Sequence, residues 1–191
     1  MMDPQPRLRV LACGGTFDKR YNPISGELEF VESQLPDIMS RVRVTLPHVL
    51  QTVMLIDSLD MQDADRERIL AACRAAPEPA LVIVHGTDTM PDTARVLGPC
   101  FGPRFEPRSG GAQGRPPPAP AGAHDVSKTI VLTGAMVPYA ITRSDALFNL
   151  GFACACAQTL APGVWVAMNG RIFAWDAVKK NREDGVFEAT G

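Results

Sequence analysis

The chain is short of several things, and each shortage removes a class of function. No segment of its 191 residues approaches the ~18 uninterrupted apolar residues of a helical membrane span. Met1 to Val10 (MMDPQPRLRV) holds no apolar run of signal-peptide length, so a cytoplasmic location is expected. Nineteen Lys and Arg stand against 21 Asp and Glu, a net charge of -2 with no basic block. That balance offers no electrostatic reason to expect nucleic acid as a partner. The five cysteines (Cys13, Cys73, Cys100, Cys154 and Cys156) are odd in number and match no zinc spacing. They read as buried reduced thiols. No His, Asp or Glu cluster has ligand spacing, so no metal and no cofactor is expected. The first glycine-rich loop lacks a complete G-x-G-x-x-G or G-x-x-x-x-G-K-[ST], which makes a nucleotide-binding domain a weak reading. The length falls short of the roughly 250 residues of a (β/α)₈ barrel, and no internal repeat is visible.

What is present is ordinary globular composition, 46% hydrophobic and 21% charged. Short apolar runs recur at Leu8 to Cys13, Thr52 to Ile56, Ala80 to Val84, Thr129 to Thr133 and Val164 to Met168. They are apolar almost throughout rather than alternating, the pattern of strands covered on both faces. Helix signals lie between them. Asp63 opens Ala64 to Ala76, with acids in its first turn and a stripe of Ile69, Leu70 and Cys73. Thr89-x-x-Asp92 resembles a capping box with Pro91 in the first turn, and Thr142-x-x-Asp145 predicts the same device before Ala146 to Ala157. Strands alternating with helices predict an α/β fold, a doubly wound and mostly parallel sheet in a single domain spanning 1–191.

One segment departs from this rhythm. Gly98 to Asp125 carries seven prolines and six glycines in 28 residues, with no periodicity. It reads as a disordered surface loop inserted before the Thr129 strand.

Ligands of doubly wound sheets bind beyond the carboxyl ends of the strands, so those ends are where chemistry is expected. The first strand ends Gly14-Gly15-Thr16, the second Asp57-Ser58-Leu59-Asp60, the third His85-Gly86-Thr87-Asp88-Thr89. A glycine pair permits close backbone approach to a ligand, and a threonine after it can be a nucleophile if its proton is removed. Backbone N–H groups at the helix start after Thr87-Asp88 can stabilise an oxyanion. Each motif alone reads more readily as turn chemistry or helix capping than as a functional site.

Taken in order, LACGGTFDKRY, DSLDM, HGTDTM, LTGAM with SDALFNLGFA, and VAMNGR resemble the motifs of bacterial-type L-asparaginases. The resemblance runs from about Leu8 to Glu188, apart from the Pro/Gly-rich segment. It implies that Thr16 is the nucleophile that attacks a side-chain amide and forms an acyl-enzyme. It implies that Thr87 helps activate the nucleophile or water, and that Asp88 binds the substrate's α-amino group. Gly15 and Ser58 become substrate-binding, Ser58 toward the α-carboxylate, and the Ala135 backbone meets the scissile amide. Lys180 matches the lysine that pairs with the Thr-Asp couple, with Lys179 as the competing candidate. Tyr21, five residues after Thr16, is the candidate for the family's active-site tyrosine, which usually lies further along a mobile loop. Leu59 stands where larger members carry a substrate-contacting glutamine. Those members are nearly twice as long, so the resemblance is to a short, single-domain form with weaker substrate affinity, and a homo-oligomer is expected on family grounds.

The chemistry of the residues agrees with that assignment. Amide cleavage needs a nucleophile, a proton acceptor, oxyanion stabilisation and a proton for departing ammonia. A lysine accepts a proton only where burial or nearby positive charge lowers its pKa, whereas a neighbouring carboxylate raises it. Thr87, Lys180 and Asp88 can nevertheless act as a coupled relay with water as second nucleophile. His85 is expected to be structural, and His48 and His124 have no partner visible in the sequence. The expected activity is conversion of L-asparagine to L-aspartate and ammonia. A glutaminase or other small-amide hydrolase and a non-catalytic amino-acid-binding module are the alternatives.

Overall fold

The computed structural model describes residues 7–102, 125 and 127–190. Five parallel strands, β1 (Leu8–Gly14), β4 (His48–Ile56), β5 (Ala80–Val84), β6 (Thr129–Thr133) and β7 (Gly163–Met168), form the sheet. An antiparallel edge strand, β8 (Arg171–Ala174), pairs with β7. The sheet order is β4-β1-β5-β6-β7-β8. Two short ribbons stand outside it: β2 (Arg20–Tyr21) with β3 (Leu28–Glu29), and β9 (Val178–Asn181) with β10 (Val186–Ala189).

Strands β1, β5, β6 and β7 are buried on both faces, as their composition predicts, whereas β4 at the sheet edge is only partly buried, with Thr52 exposed. On β1, Leu11 and Cys13 point into one core while Leu8, Val10 and Ala12 point into the other. The same two-residue alternation divides Leu81 and Ile83 from Val82 and Val84 on β5. Helices α2 (Asp63–Ala75) and α3 (Met90–Phe101) cover the first face through Ile69, Leu70, Cys73, Leu97 and Phe101. Helices α1 (Leu35–Arg41) and α4 (Ala146–Thr159) cover the second through Leu35, Ile38, Leu150 and Ala153. The sheet is therefore doubly wound. All five cysteines are free thiols, four of them buried. Burial drives the Cys73 thiol up to about 12 and the Cys154 thiol to about 11.

Several boundaries differ from the sequence expectation. Strand β4 begins at His48 rather than Thr52, because Leu8 to Ala12 pair with His48 to Thr52. Helix α2 starts at Asp63, where the Asp65 carboxylate accepts the Gln62 N–H at 3.0 Å. The Pro/Gly-rich segment is not a loop over its first four residues: Gly98 to Phe101 complete α3. Cys100 and Phe101 extend the buried stripe of Ala94 and Leu97, and the Trp175 indole lies against Gly98 where a Cβ would stand. Residues 103–124 of that segment, His124 among them, lie outside the described residues.

Neither expected capping box forms. The Thr89 hydroxyl donates to Ser58 O at 2.8 Å instead of capping α3. Helix α4 begins at Ala146, and Asp145 turns back to accept the N–H groups of Met136 and Val137 at 3.0 Å. In both cases a neighbouring strand-end loop supplies the partner that a local cap would have used.

Candidate active site

The direction in which the chain adds strands reverses between β1 and β5. From β1 it steps outward to β4, then returns to the other side of β1 and proceeds through β5, β6 and β7. At such a switch point the loops leaving two neighbouring strands diverge and open a crevice at their carboxyl ends. Thr16 follows β1 and Thr87 follows β5, so the two threonines flank that crevice.

Small residues let these loops close on one another. Gly15 has φ +78° and Gly86 lies directly against it, so a Cβ on Gly15 would overlap the Gly86 backbone. A Cβ on Gly86 would in turn meet Ser58 Cβ and Oγ at 2.5 Å. The ends of β1, β4 and β5 are thus stacked through Gly15, Ser58 and Gly86. The β6 end joins them: a Cβ on Gly134 would lie 3.3 Å from Thr87 Cγ2, and Ala135 beside it is fully buried.

The chemical groups converge on Lys180. Its Nζ donates to Thr87 Oγ1 at 2.7 Å and to Asp88 Oδ1 at 2.8 Å. The lysine side chain is only 9% exposed, so both contacts form in a largely dry setting, where they are stronger than in water. Arg182 Nε approaches the same Asp88 oxygen at 3.9 Å. Lys179 points away and pairs with Glu188 at 3.4 Å on the outer face of the ribbon. The register explains the choice: Lys180 lies opposite Phe187, which is buried, and two residues from Val178, fully buried. Strand alternation therefore turns Lys180 inward and Lys179 outward.

The remaining site candidates have different surroundings. Thr16 is half-buried, and among the described residues its hydroxyl has no hydrogen-bond partner. Ser58 is 1% exposed, with its Oγ buried and unpartnered among the described residues. Leu59 is 62% exposed, an apolar side chain open at the rim. Tyr21 is 59% exposed on the β2–β3 ribbon, with no hydrogen bond to Thr16, Thr87, Asp88 or Lys180.

Beneath the site, His85 is a structural group. Burial pushes it down to about 4, leaving it neutral. Its Nδ1 donates to Gly86 O at 2.8 Å and its Nε2 accepts from the Thr93 hydroxyl at 2.8 Å. The imidazole thereby ties the β5 end to α3.

Other residues that shape the site escaped sequence reasoning. Asp145, Asn149 and Asn169 form a network around the β6 loop: Asn149 Nδ2 donates to Gly134 O at 2.9 Å and to Asp145 Oδ2 at 2.8 Å. Asn169 N donates to Asn149 Oδ1 at 3.0 Å, linking the β7 end to the same loop. All three residues sit inside SDALFNLGFA and VAMNGR, but nothing local distinguishes a networked Asn from a helix-surface one. Lys19 Nζ donates to Asp57 Oδ2 at 2.5 Å, joining the loops after β1 and β4. Burial works against the Asp57 carboxylate, but Lys19, the Leu59 N–H and the field of Lys180 hold it below the usual range. Among the described residues no cluster of three His, Cys, Asp or Glu is placed to hold a metal ion. No helix among them is long and apolar enough to cross a membrane.

A doubly wound sheet with threonines on both sides of its switch point and a buried lysine bridging a Thr-Asp pair defines the class of site. The model of the asparaginase N-terminal domain matches residues 7–103 and 122–187. The chain belongs to the asparaginase family. L-asparaginase 1 of Escherichia coli (strain K12) is 26% identical over 186 residues, covering 92% of this chain and 48% of that protein. The chain spans about half the length of the curated relatives it matches. Among solved structures, the thermostable L-asparaginase from Thermococcus kodakarensis superposes with a TM-score of 0.71 at 25% identity, covering 95% of this chain and 50% of that one. The probable cytoplasmic L-asparaginase from Campylobacter jejuni has the same fold, with a TM-score of 0.72 at 24% identity over 97% of this chain and 53% of that one.

Proposed function

We propose that the chain is an L-asparagine amidohydrolase that uses Thr16 as nucleophile and forms L-aspartate and ammonia. The observation that carries this reading is the Lys180 bridge between Thr87 Oγ1 and Asp88 Oδ1, set across the switch-point crevice from Thr16.

The geometry supports the following roles. Thr16 Oγ1, with no competing hydrogen bond among the described residues, is free to attack the amide carbon. Its hydroxyl proton passes to the departing nitrogen, so that ammonia leaves and an ester to Thr16 remains. Water then adds to the ester carbonyl, its proton returns to Thr16, and the acid is released. Thr87, whose oxygen accepts from Lys180, has its own proton available to donate toward the reacting atoms. Lys180 supplies positive charge beside that hydroxyl, where it favours charge developing on oxygen. Asp88, 31% exposed, keeps carboxylate surface accessible, and this reading assigns it to a substrate ammonium group. This reading assigns the remaining substrate contacts to Gly15, Ser58 and the Ala135 backbone.

Leu59 at the rim supplies no hydrogen bond through its side chain, and Tyr21 stands in the open. With fewer groups clamping the substrate, weak affinity is expected, and glutamine or another small amide is the second reading of the same site. The proposed setting is the cytoplasm, and the proposed assembly is a homo-oligomer.

Purified protein assayed for ammonia against asparagine, glutamine and a panel of small amides tests the reading. Release from asparagine is expected, with Thr16→Ala abolishing it. Asparagine bound without ammonia from any amide at millimolar concentrations would make the protein a binding module instead.

A further inference from the structure

The groups that set the Thr16 hydroxyl in place are not on Thr16 itself. The side chain makes no hydrogen bond among the described residues, so its direction depends on what holds the turn around it. On the upstream side, the Gly15 N–H donates to Ile56 O at 2.9 Å. On the downstream side, the Lys19 N–H donates to Thr16 O at 3.3 Å, closing the short 3₁₀ turn Thr16–Asp18. The same Lys19 then leaves its own loop. Its Nζ donates to Asp57 Oδ2 at 2.5 Å, its ammonium stands 5.6 Å from the centre of the Phe30 ring, and the side chain is 20% exposed.

Asp57 is equally placed for the task. It is the first residue after β4, and its other oxygen accepts the Leu59 N–H at 3.0 Å, shaping the turn that carries Ser58. One carboxylate thus fixes the Ser58 turn with one oxygen and the Thr16 turn with the other. At 27% exposure it is screened less than a surface pair, for which the contribution is small.

We propose that Lys19 is a positioning residue. Its ion pair with Asp57 latches the Thr16 turn to the Ser58 turn and sets the distance between the nucleophile and the substrate-binding wall. The inference rests on the functional reading above for its kinetic consequence, but not for its structural one. A displacement near 1 Å at a reacting group can cost up to about a hundredfold in rate. A latch that only narrows the range of Thr16 positions should cost less.

Two measurements on the intact protein test this. In the first, Lys19→Met and Asp57→Asn should each lower kcat for amide hydrolysis about tenfold while KM stays within twofold. Lys19→Arg should retain most of the rate, and the Met/Asn double variant should be no slower than either single one, because both changes open the same latch. Additive losses, or single variants within twofold of the parent, would overturn the proposal. In the second, hydrogen exchange is followed by mass spectrometry in the peptide covering residues 16–22. Exchange should quicken about tenfold in Lys19→Met and Asp57→Asn, stay near the parent in Lys19→Arg, and not change in peptides from β5. Unchanged exchange in residues 16–22 would sink the latch whatever the kinetics. If the parent releases no ammonia from any amide, the functional reading fails, and the exchange result alone decides for or against the latch.

Discussion

Two antiparallel ribbons flank the crevice, and they are built alike but anchored differently. Strand β9 sends Val178 into the core, and β10 sends Phe187 beside it at 3% exposure. Helix α3 adds a further tie, since Arg95 Nη2 donates to Val178 O at 3.0 Å. Among the described residues the β2–β3 ribbon has no apolar root, and its tie to the interior is polar, Arg20 Nη2 donating to buried Gln34 Oε1 at 3.1 Å. Tyr21 and Leu28 are exposed, Ile24 at its turn is 96% exposed, and the buried residues near it, Phe17 and Asp18, belong to the turn before it. One ribbon therefore delivers a lysine to a fixed point, while the other presents a tyrosine whose position nothing in the core determines. Burial of the face behind a side chain, rather than secondary structure, decides how firmly that side chain is placed.

The contrast can be broken or sharpened experimentally. The largest expected effect is chemical: Lys180→Met should lower kcat/KM for amide hydrolysis about a thousandfold. Lys179→Met should stay within about twofold, and the reverse ranking would mean that the inward register of β9 does not govern activity. Next comes the root of the ribbon. Phe187→Ala should destabilise the fold by about 3 kcal/mol in chemical denaturation, since a nearly fully buried ring leaves a cavity. A loss below about 1 kcal/mol would show that β9 is held by its ties to α3 alone.

Acid should loosen the same foundation, because α3 is pinned by neutral His85. The folded value near 4 lies below the unfolded one near 6.5, so the unfolded chain binds the extra proton. The stabilisation is complete above the unfolded value and is lost as pH falls toward 4, amounting to about 2 kcal/mol between pH 7 and pH 5. Denaturation midpoints that do not move across that interval would mean His85 protonates freely in the folded state. On the unrooted ribbon, effects should be small. Tyr21→Phe should change kcat/KM less than about tenfold, and Leu28→Ala should leave stability within about 0.5 kcal/mol. A thousandfold loss for Tyr21→Phe would show that the exposed ribbon folds over bound substrate.

Much of the frame was legible because it depends on short-range patterns. Ala80 to Val84 and Thr129 to Thr133 form strands over those residues, since a run buried on both faces is apolar at every position. The short strands around Tyr21 and Lys180 were not legible: Arg20, Lys179 and Lys180 carry no strand signal, and their pairing depends on a partner segment. The capping boxes expected at Thr89-x-x-Asp92 and Thr142-x-x-Asp145 failed for a related reason, seen at Thr89 and Asp145. Each side chain could satisfy its own helix, but a loop brought close by the sheet offered a better-placed partner.

By itself, then, the sequence determined the doubly wound sheet and the chemical groups at its strand ends, because hydrophobic period and turn-forming residues act over a few positions. Only the tertiary structure decided that Lys180 rather than Lys179 bridges Thr87 and Asp88, that Asp145 and Asn149 brace the β6 loop, and that Lys19 reaches Asp57. Those pairings join residues that the chain holds far apart, and glycines at positions 15 and 86 let the loops after β1, β4 and β5 close to contact.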